Sequence, residues 1–223
     1  MNSVRTAALS IGVIASLGVS GARGDDFAPP SYRGDPGNIR SEWDFAAPLG
    51  MPTVVPADSF VAIPTSLSDP LSGVTTRLEV EATGAGVMWV AGDGDGGLTP
   101  NDEFGAFLNF YTENFFPTSL TETLLRVQLT YSGEAPTVLR VLSGSSFPNA
   151  DFVGGGQVGA GQAYSDWAMG STPFTLVVVF LPGGSVLDQV VVDTVVPGPG
   201  AAGVIVLGLA MSSRRRRQRP VRL

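Results

Sequence analysis

The stretch Leu124-Leu125-Arg126-Val127-Gln128-Leu129-Thr130-Tyr131 alternates over its whole length. Leu125, Val127, Leu129 and Tyr131 fall on one face, and Leu124, Arg126, Gln128 and Thr130 fall on the other. Successive side chains of an extended strand point to opposite faces, so a period of two predicts a half-buried β-strand. Gly133-Glu134-Ala135-Pro136 then interrupts the pattern and Thr137–Leu142 resumes it, which predicts a hairpin. Upstream, Val74, Thr76, Leu78, Val80 and Ala82 alternate with Thr75, Arg77, Glu79 and Glu81. Gly84-Ala85-Gly86 is a turn, and Val87-Met88-Trp89-Val90 predicts the second strand of another hairpin.

Working outward, Ser41-Glu42-Trp43-Asp44-Phe45 alternates after a Pro- and Asp-rich arm, Asp25–Pro36. Met51–Leu71 carries Pro52, Pro56, Pro64 and Pro70, so it admits only a short edge strand near Ser59–Ile63. Ala163–Met169, Phe174–Leu181 and Val186–Val195 complete the set. Phe174–Leu181 is apolar on both faces, as a central strand is. Phe104, Phe107, Leu108, Tyr111 and Phe115 fit helical spacing, yet Phe104, Ala106, Leu108 and Phe110 also alternate. Gly105 and the surrounding strands favour the extended form. The Gly154–Gly161 stretch reads as a flexible loop, because it lacks the Lys and the helix of a phosphate-binding loop. Many short strands with Gly-rich turns predict an all-β fold, a single antiparallel β-sandwich of jelly-roll type over residues 25–194.

The two ends differ from this middle. Met1–Thr6 contains Arg5 and no acid, Ala7–Val19 is apolar, and Ser20–Gly24 is made mainly of small residues, the order of a secretory signal peptide over residues 1–24. Cleavage after Gly24 and cleavage after Ala22 both satisfy the small-residue rule. At the other end, residues 195–223, Pro197-Gly198-Pro199-Gly200 stops any strand. The uncharged run Ala201–Met211 follows. As a helix it would be roughly 16 Å long at about 1.5 Å per residue, short of a bilayer core of about 30 Å. The cluster Arg214, Arg215, Arg216 and Arg217 supplies a cytoplasmic flank. Transient inner-membrane contact is the physical expectation for such a tail.

This tripartite order resembles the bacterial PEP-CTERM sorting signal, with Gly198 where the family usually has Glu. The resemblance implies a short C-terminal sorting helix and processing by an exosortase-type enzyme. It also implies delivery to the cell-envelope surface or the extracellular matrix. Pro30-Ser31-Tyr32-Arg33-Gly34 resembles the opening of planctomycete-type members of that family, and Leu187–Thr194 resembles their last strand.

Composition narrows the chemistry. There is no His and no Cys, and all 13 basic residues are Arg. Catalytic Ser/His/Asp or Cys/His sites and the usual zinc sites are thereby excluded, as is any disulfide. Between Asp25 and Asp193 five arginines face twenty acids, a net charge of −15. Nucleic acid, which needs clustered positive charge, is therefore not an expected partner. Asp93, Asp95, Asn101 and Asp102 offer hard oxygen ligands on a Gly-rich turn, a weak calcium signal. Gly97, Leu98 and Phe104 break the EF-hand spacing. Glu79, Glu81, Glu103, Glu113 and Asp166 are nominal carboxylates for a glycosidase. Trp43, Trp89, Trp167, Tyr111 and Tyr164 could stack on sugars, although each also suits a core position. The expectation is a non-catalytic exported surface or matrix-associated protein without a cofactor, with extracellular polysaccharide as its associated material. A carbohydrate-binding module, calcium-assisted or not, is the alternative, and a carboxylate glycosidase stands behind it.

Overall fold

The computed structural model describes residues 26–45, 54–63, 71, 73, 75–81, 86–91, 96–115, 122–143, 149–170 and 172–196. Their regular elements are β1 (Asn38–Trp43), β2 (Val54–Pro56), β3 (Ser59–Ala62), β4 (Arg77–Glu81), β5 (Val87–Ala91), β6 (Gly96–Pro100) and β7 (Ala106–Glu113). They continue with β8 (Thr123–Ser132), β9 (Thr137–Ser143), β10 (Asp151–Gly159), β11 (Gln162–Met169), β12 (Phe174–Leu181) and β13 (Val186–Val195). The first sheet runs β10-β11-β8-β13-β1-β3, with β6 joined to β13 at Leu98–Leu187 and β5 paired to β6. The second runs β2-β4-β7-β12-β9. Every pairing is antiparallel.

The two sheets bury one shared core, a β-sandwich-like arrangement. Leu125, Val127 and Leu129 of β8 and Val190 and Val192 of β13 meet Leu108 and Phe110 of β7 and Val177 and Val179 of β12. Trp43 is fully buried and packs edge-on against Phe110, with ring centroids 5.0 Å apart. Beside it the Ser41 and Thr112 hydroxyls, on opposite sheets, share a 2.8 Å hydrogen bond inside the core. Burying both together satisfies two polar groups that would each be costly alone.

The alternating stretches form strands, as does Ser59–Ala62 at the edge beyond β1. Phe174–Leu181 is central, between β7 and β9. Neither expected hairpin forms. β4 pairs with β2 and β7 in the second sheet, whereas β5 joins the first sheet through β6. Likewise β8 lies between β11 and β13, whereas β9 crosses to the second sheet beside β12. The physical reason is that a period of two shows which face is buried but not which neighbour pairs. Val127 of β8 and Val141 of β9 meet across the core instead of along one ladder.

The Phe104 region adopts the extended form, but the strand begins at Ala106 and Phe104 stays 79% exposed on the preceding turn. The first strand runs Asn38–Trp43, and Phe45 lies beyond it at a φ of 51°. Gly154–Gly159, expected as loop, belongs to β10 instead. Backbone ladder bonds need no side chain, so glycines can hold an edge strand against β11. The turn closing that hairpin uses Gly161 at φ +76°, where a Cβ would stand 2.3 Å from the Tyr131 carbonyl oxygen. Only glycine fits there.

Candidate functional site

The outer face of the first sheet carries a charged row that crosses four strands. Asp166 of β11 lies opposite Arg126 of β8, Arg126 opposite Asp193 of β13, and Asp193 opposite Arg40 of β1. Signs alternate along the row, the favourable arrangement for cross-strand neighbours. Arg126 donates to both Asp166 oxygens, at 2.6 and 2.8 Å, and Tyr164 covers its guanidinium with the ring centroid 4.5 Å away. The hydrogen bonds to Asp166 and that carboxylate's charge raise the Arg126 pKa.

The N-terminal arm closes over this row. Arg33 grips Asp193 with two donors, Nε to Oδ1 at 2.9 Å and Nη2 to Oδ2, and also pairs with Asp26. The Tyr32 hydroxyl donates to the Asp193 carbonyl at 3.3 Å. Burial and then the charges of Asp193 and Asp166 push the Tyr32 phenol well above its usual pKa. Farther up the arm, Gln128 accepts from the Ala28 amide at 2.8 Å and donates to Asp26 at 2.9 Å, and Arg126 donates to the Ala28 carbonyl at 2.9 Å. A second polar set flanks it, with Glu42 taking Gln189 and Arg40 at 2.6 Å each. The Val196 amide donates to the Gly37 carbonyl at 3.1 Å. The segment after residue 25 and the last strand of the fold are thus bound to each other.

That cluster was only partly legible in the chain. Arg126 and Gln128 stand on the polar face of an alternating strand, but Asp193 sits inside the apolar run Val190–Val195. A carboxylate in such a run, in a domain holding five arginines, is the signal that could have found this buried ion pair, and the sequence reading missed it.

Apart from Asp166 and Tyr164, which stand in that row, the expected site residues fall elsewhere. Pro197, Gly198, Pro199 and Gly200, the cluster Arg214–Arg217, and Asp93 and Asp95 lie outside the described residues. Asn101 is exposed and its amide donates to Gly86 at 3.0 Å. Asp102 caps the turn, its Oδ1 accepting from the Phe104 and Gly105 amides at 3.0 and 3.2 Å. Among the described residues no group of three or more acids is placed to hold a metal. Of the carboxylates, Glu79 pairs with Arg77 at 2.6 Å and Asp166 with Arg126, while Glu113 accepts from the Gly73 amide at 2.5 Å. Glu103 is exposed. Glu113 and Asp166 stand on different sheets.

Of the candidate aromatic residues Trp43 and Trp167 are buried, whereas Trp89, Tyr111 and Tyr164 are half-buried. Trp43 is core, Trp89 donates to the Phe45 carbonyl at 2.7 Å, and Trp167 is 9% exposed with its indole bonded to Ser165. Tyr111 stacks under Arg77. Beside Trp167 is a cleft of about 330 Å³ between β9 and the inner face of β10–β11, lined among others by Thr137, Val138, Phe152, Ala163 and Trp167. No helix among the described residues is long and apolar enough to cross a membrane.

By fold the chain falls among all-β proteins with two antiparallel sheets. No family model, curated protein or solved structure matches it in comparison.

Proposed function

We propose that this chain is an exported, non-catalytic surface or matrix-associated protein, released from the membrane through its C-terminal signal. The observation that carries the reading is the order Pro197–Gly200, Ala201–Met211, Arg214–Arg217, which resembles the PEP-CTERM signal. Its position supports the same reading. β13 ends at Val195 and Val196 is still buried, so in the chain the motif follows directly on this strand. A cut after Gly24 would spare Arg33, which ties the arm to β13. An exosortase-type protease is the processing partner in this reading, and extracellular polysaccharide is the material the delivered domain associates with.

A jelly-roll topology belongs to the same proposal. The orders β11-β8-β13-β1 and β7-β12-β9 support it, since in a jelly roll the last strand lies between the first strand and an inner one. The departure is β10, which pairs with β11 rather than with β9.

Intact-mass measurement on protein from the native host tests the sorting step. A mature chain beginning near Asp25 and ending before Arg214 is expected. A chain ending at Leu223 in the surface fraction overturns it.

A further inference from the structure

β9 has β12 along one edge, and on its other edge a partner strand starts and then leaves. Leu142 bridges Asn149 in antiparallel fashion, and the Ala150 amide donates to the Val141 carbonyl at 2.8 Å. At Asp151 the chain turns away to the other sheet and becomes β10. Among the described residues nothing else pairs with this edge of β9. The cleft lined by Pro136, Thr137, Val138, Phe152 and Trp167 lies beside it.

β10 is lightly held where it now sits. Every residue but Gly154 is exposed, four of its nine residues are glycine, and two irregularities interrupt its ladder to β11, at Phe152/Gly154 and Gln157/Gly159. Phe152 packs against the Trp167 ring, and the Gln157 amide donates to the Tyr131 hydroxyl at 3.0 Å.

The bridge at Leu142–Asn149 dictates what a continued pairing with β9 would bring together. Antiparallel register sets Arg140 opposite Asp151; Leu139 is the extra residue of a bulge in β9 against β12, and a strand following that bulged backbone residue for residue has Leu139 opposite Phe152 and Thr137 opposite Gly154. Arg140 and Asp151 are exposed, oppositely charged, and in no ion pair among the described residues. Leu139 and Phe152, now 48% and 62% exposed, would cover each other. Phe152 already lines the cleft, so it need not leave it.

We propose that residues 151–154 form a two-position strand segment, paired with β11 in one state and with β9 in the other, where it occupies the cleft. The exchange replaces the β11 bonds of residues 151–154 with bonds to Thr137–Arg140 of β9 and releases residues 155–159, which would face the Gly133–Pro136 turn. Own-chain occupancy follows from the anchor at Asn149–Ala150. It holds the strand at an effective concentration in the millimolar range, which a second molecule at ordinary concentration does not reach. In the second state the edge of β11 becomes the open edge of the first sheet, a surface for strand addition that the first state covers.

The chain has no Cys, so paired cysteines report the exchange without background. Thr137→Cys with Gly154→Cys probes the β9 register, and Gln157→Cys with Ala163→Cys probes the observed one. Under a thiol–disulfide buffer the first pair should close within one molecule in at least about a tenth of the population, and prior closure of the second pair should suppress it. Arg140→Asp should lower that fraction several-fold, and adding Asp151→Arg should restore it. A first pair that stays reduced while the second closes overturns the proposal. So does a first pair that closes only between molecules, which would assign the cleft to a second copy. Hydrogen exchange on the unsubstituted chain guards against variants that misfold. Amides of Phe152–Gly159 should exchange at least about 100-fold faster than those of β8, and equal protection overturns the proposal.

Discussion

Replacing Arg33 with alanine removes the side chain that joins the arm to the last strand. Asp193 has no exposed surface, and its carboxylate takes two donors from Arg33, whose own side chain is 19% exposed. Taking away one partner of a buried pair leaves an uncompensated charge, which costs about 3–5 kcal/mol in a dry setting. Here Arg126 and Arg40 stand directly opposite Asp193 on the flanking strands, and water can follow the lost side chain. The lower end of that range, about 3 kcal/mol, is therefore the expectation. For a domain of about 170 residues this lowers Tm by roughly 6–12 °C. Thermal and urea unfolding of the purified chain, followed by tryptophan fluorescence, measures it. If the arm also undocks, less surface is exposed on unfolding and the urea m-value falls. Arg33→Lys keeps the charge but not the fork, so a loss of about 1 kcal/mol is expected. A loss below about 0.5 kcal/mol for the alanine variant would refute the idea that arm and sheet form one cooperative unit.

Three further outcomes follow from contacts elsewhere in the arm, turn and core. The folded state holds the Tyr32 phenol above its unfolded pKa, so its contribution is fully present below about pH 10 and is lost as pH rises through the folded value. Tyr32→Phe should flatten the alkaline fall in stability, and superimposable pH–stability curves for the two proteins would contradict this. Gly161→Ala forces a side chain at φ +76° against the Tyr131 carbonyl and should cost about 3 kcal/mol by urea unfolding; a change within error would show that the turn relaxes freely. Trp43→Ala should cost about 3–5 kcal/mol. Trp43→Phe should cost less than half as much, because the buried indole N–H has no acceptor among the described residues; equal losses in the two variants would mean that the nitrogen matters.

The alternation in Leu124–Tyr131 and in the Leu78–Val80 region made the strands and their buried faces legible, because side-chain direction is a local property of the extended backbone. The double-sided apolar run Phe174–Leu181 likewise announced a central strand. Pairing was not legible. β8 and β9 are separated by only four residues, yet they lie in different sheets, and nothing in either strand says so. Gly154–Gly159 carries no pattern, since what holds it is the ladder with β11 and not its side chains.

What the sequence by itself determined is the all-β class, the inward set of residues and the absence of His and Cys chemistry, each set by residue type and short-range periodicity. The tertiary structure alone decided that Asp166, Arg126, Asp193 and Arg40, spread over more than 150 residues, line up in one row. It also decided that Arg33 closes on that row. Such contacts depend on which strands are neighbours, and that choice is made by the packing of two whole sheets around one core, beyond the reach of any local pattern.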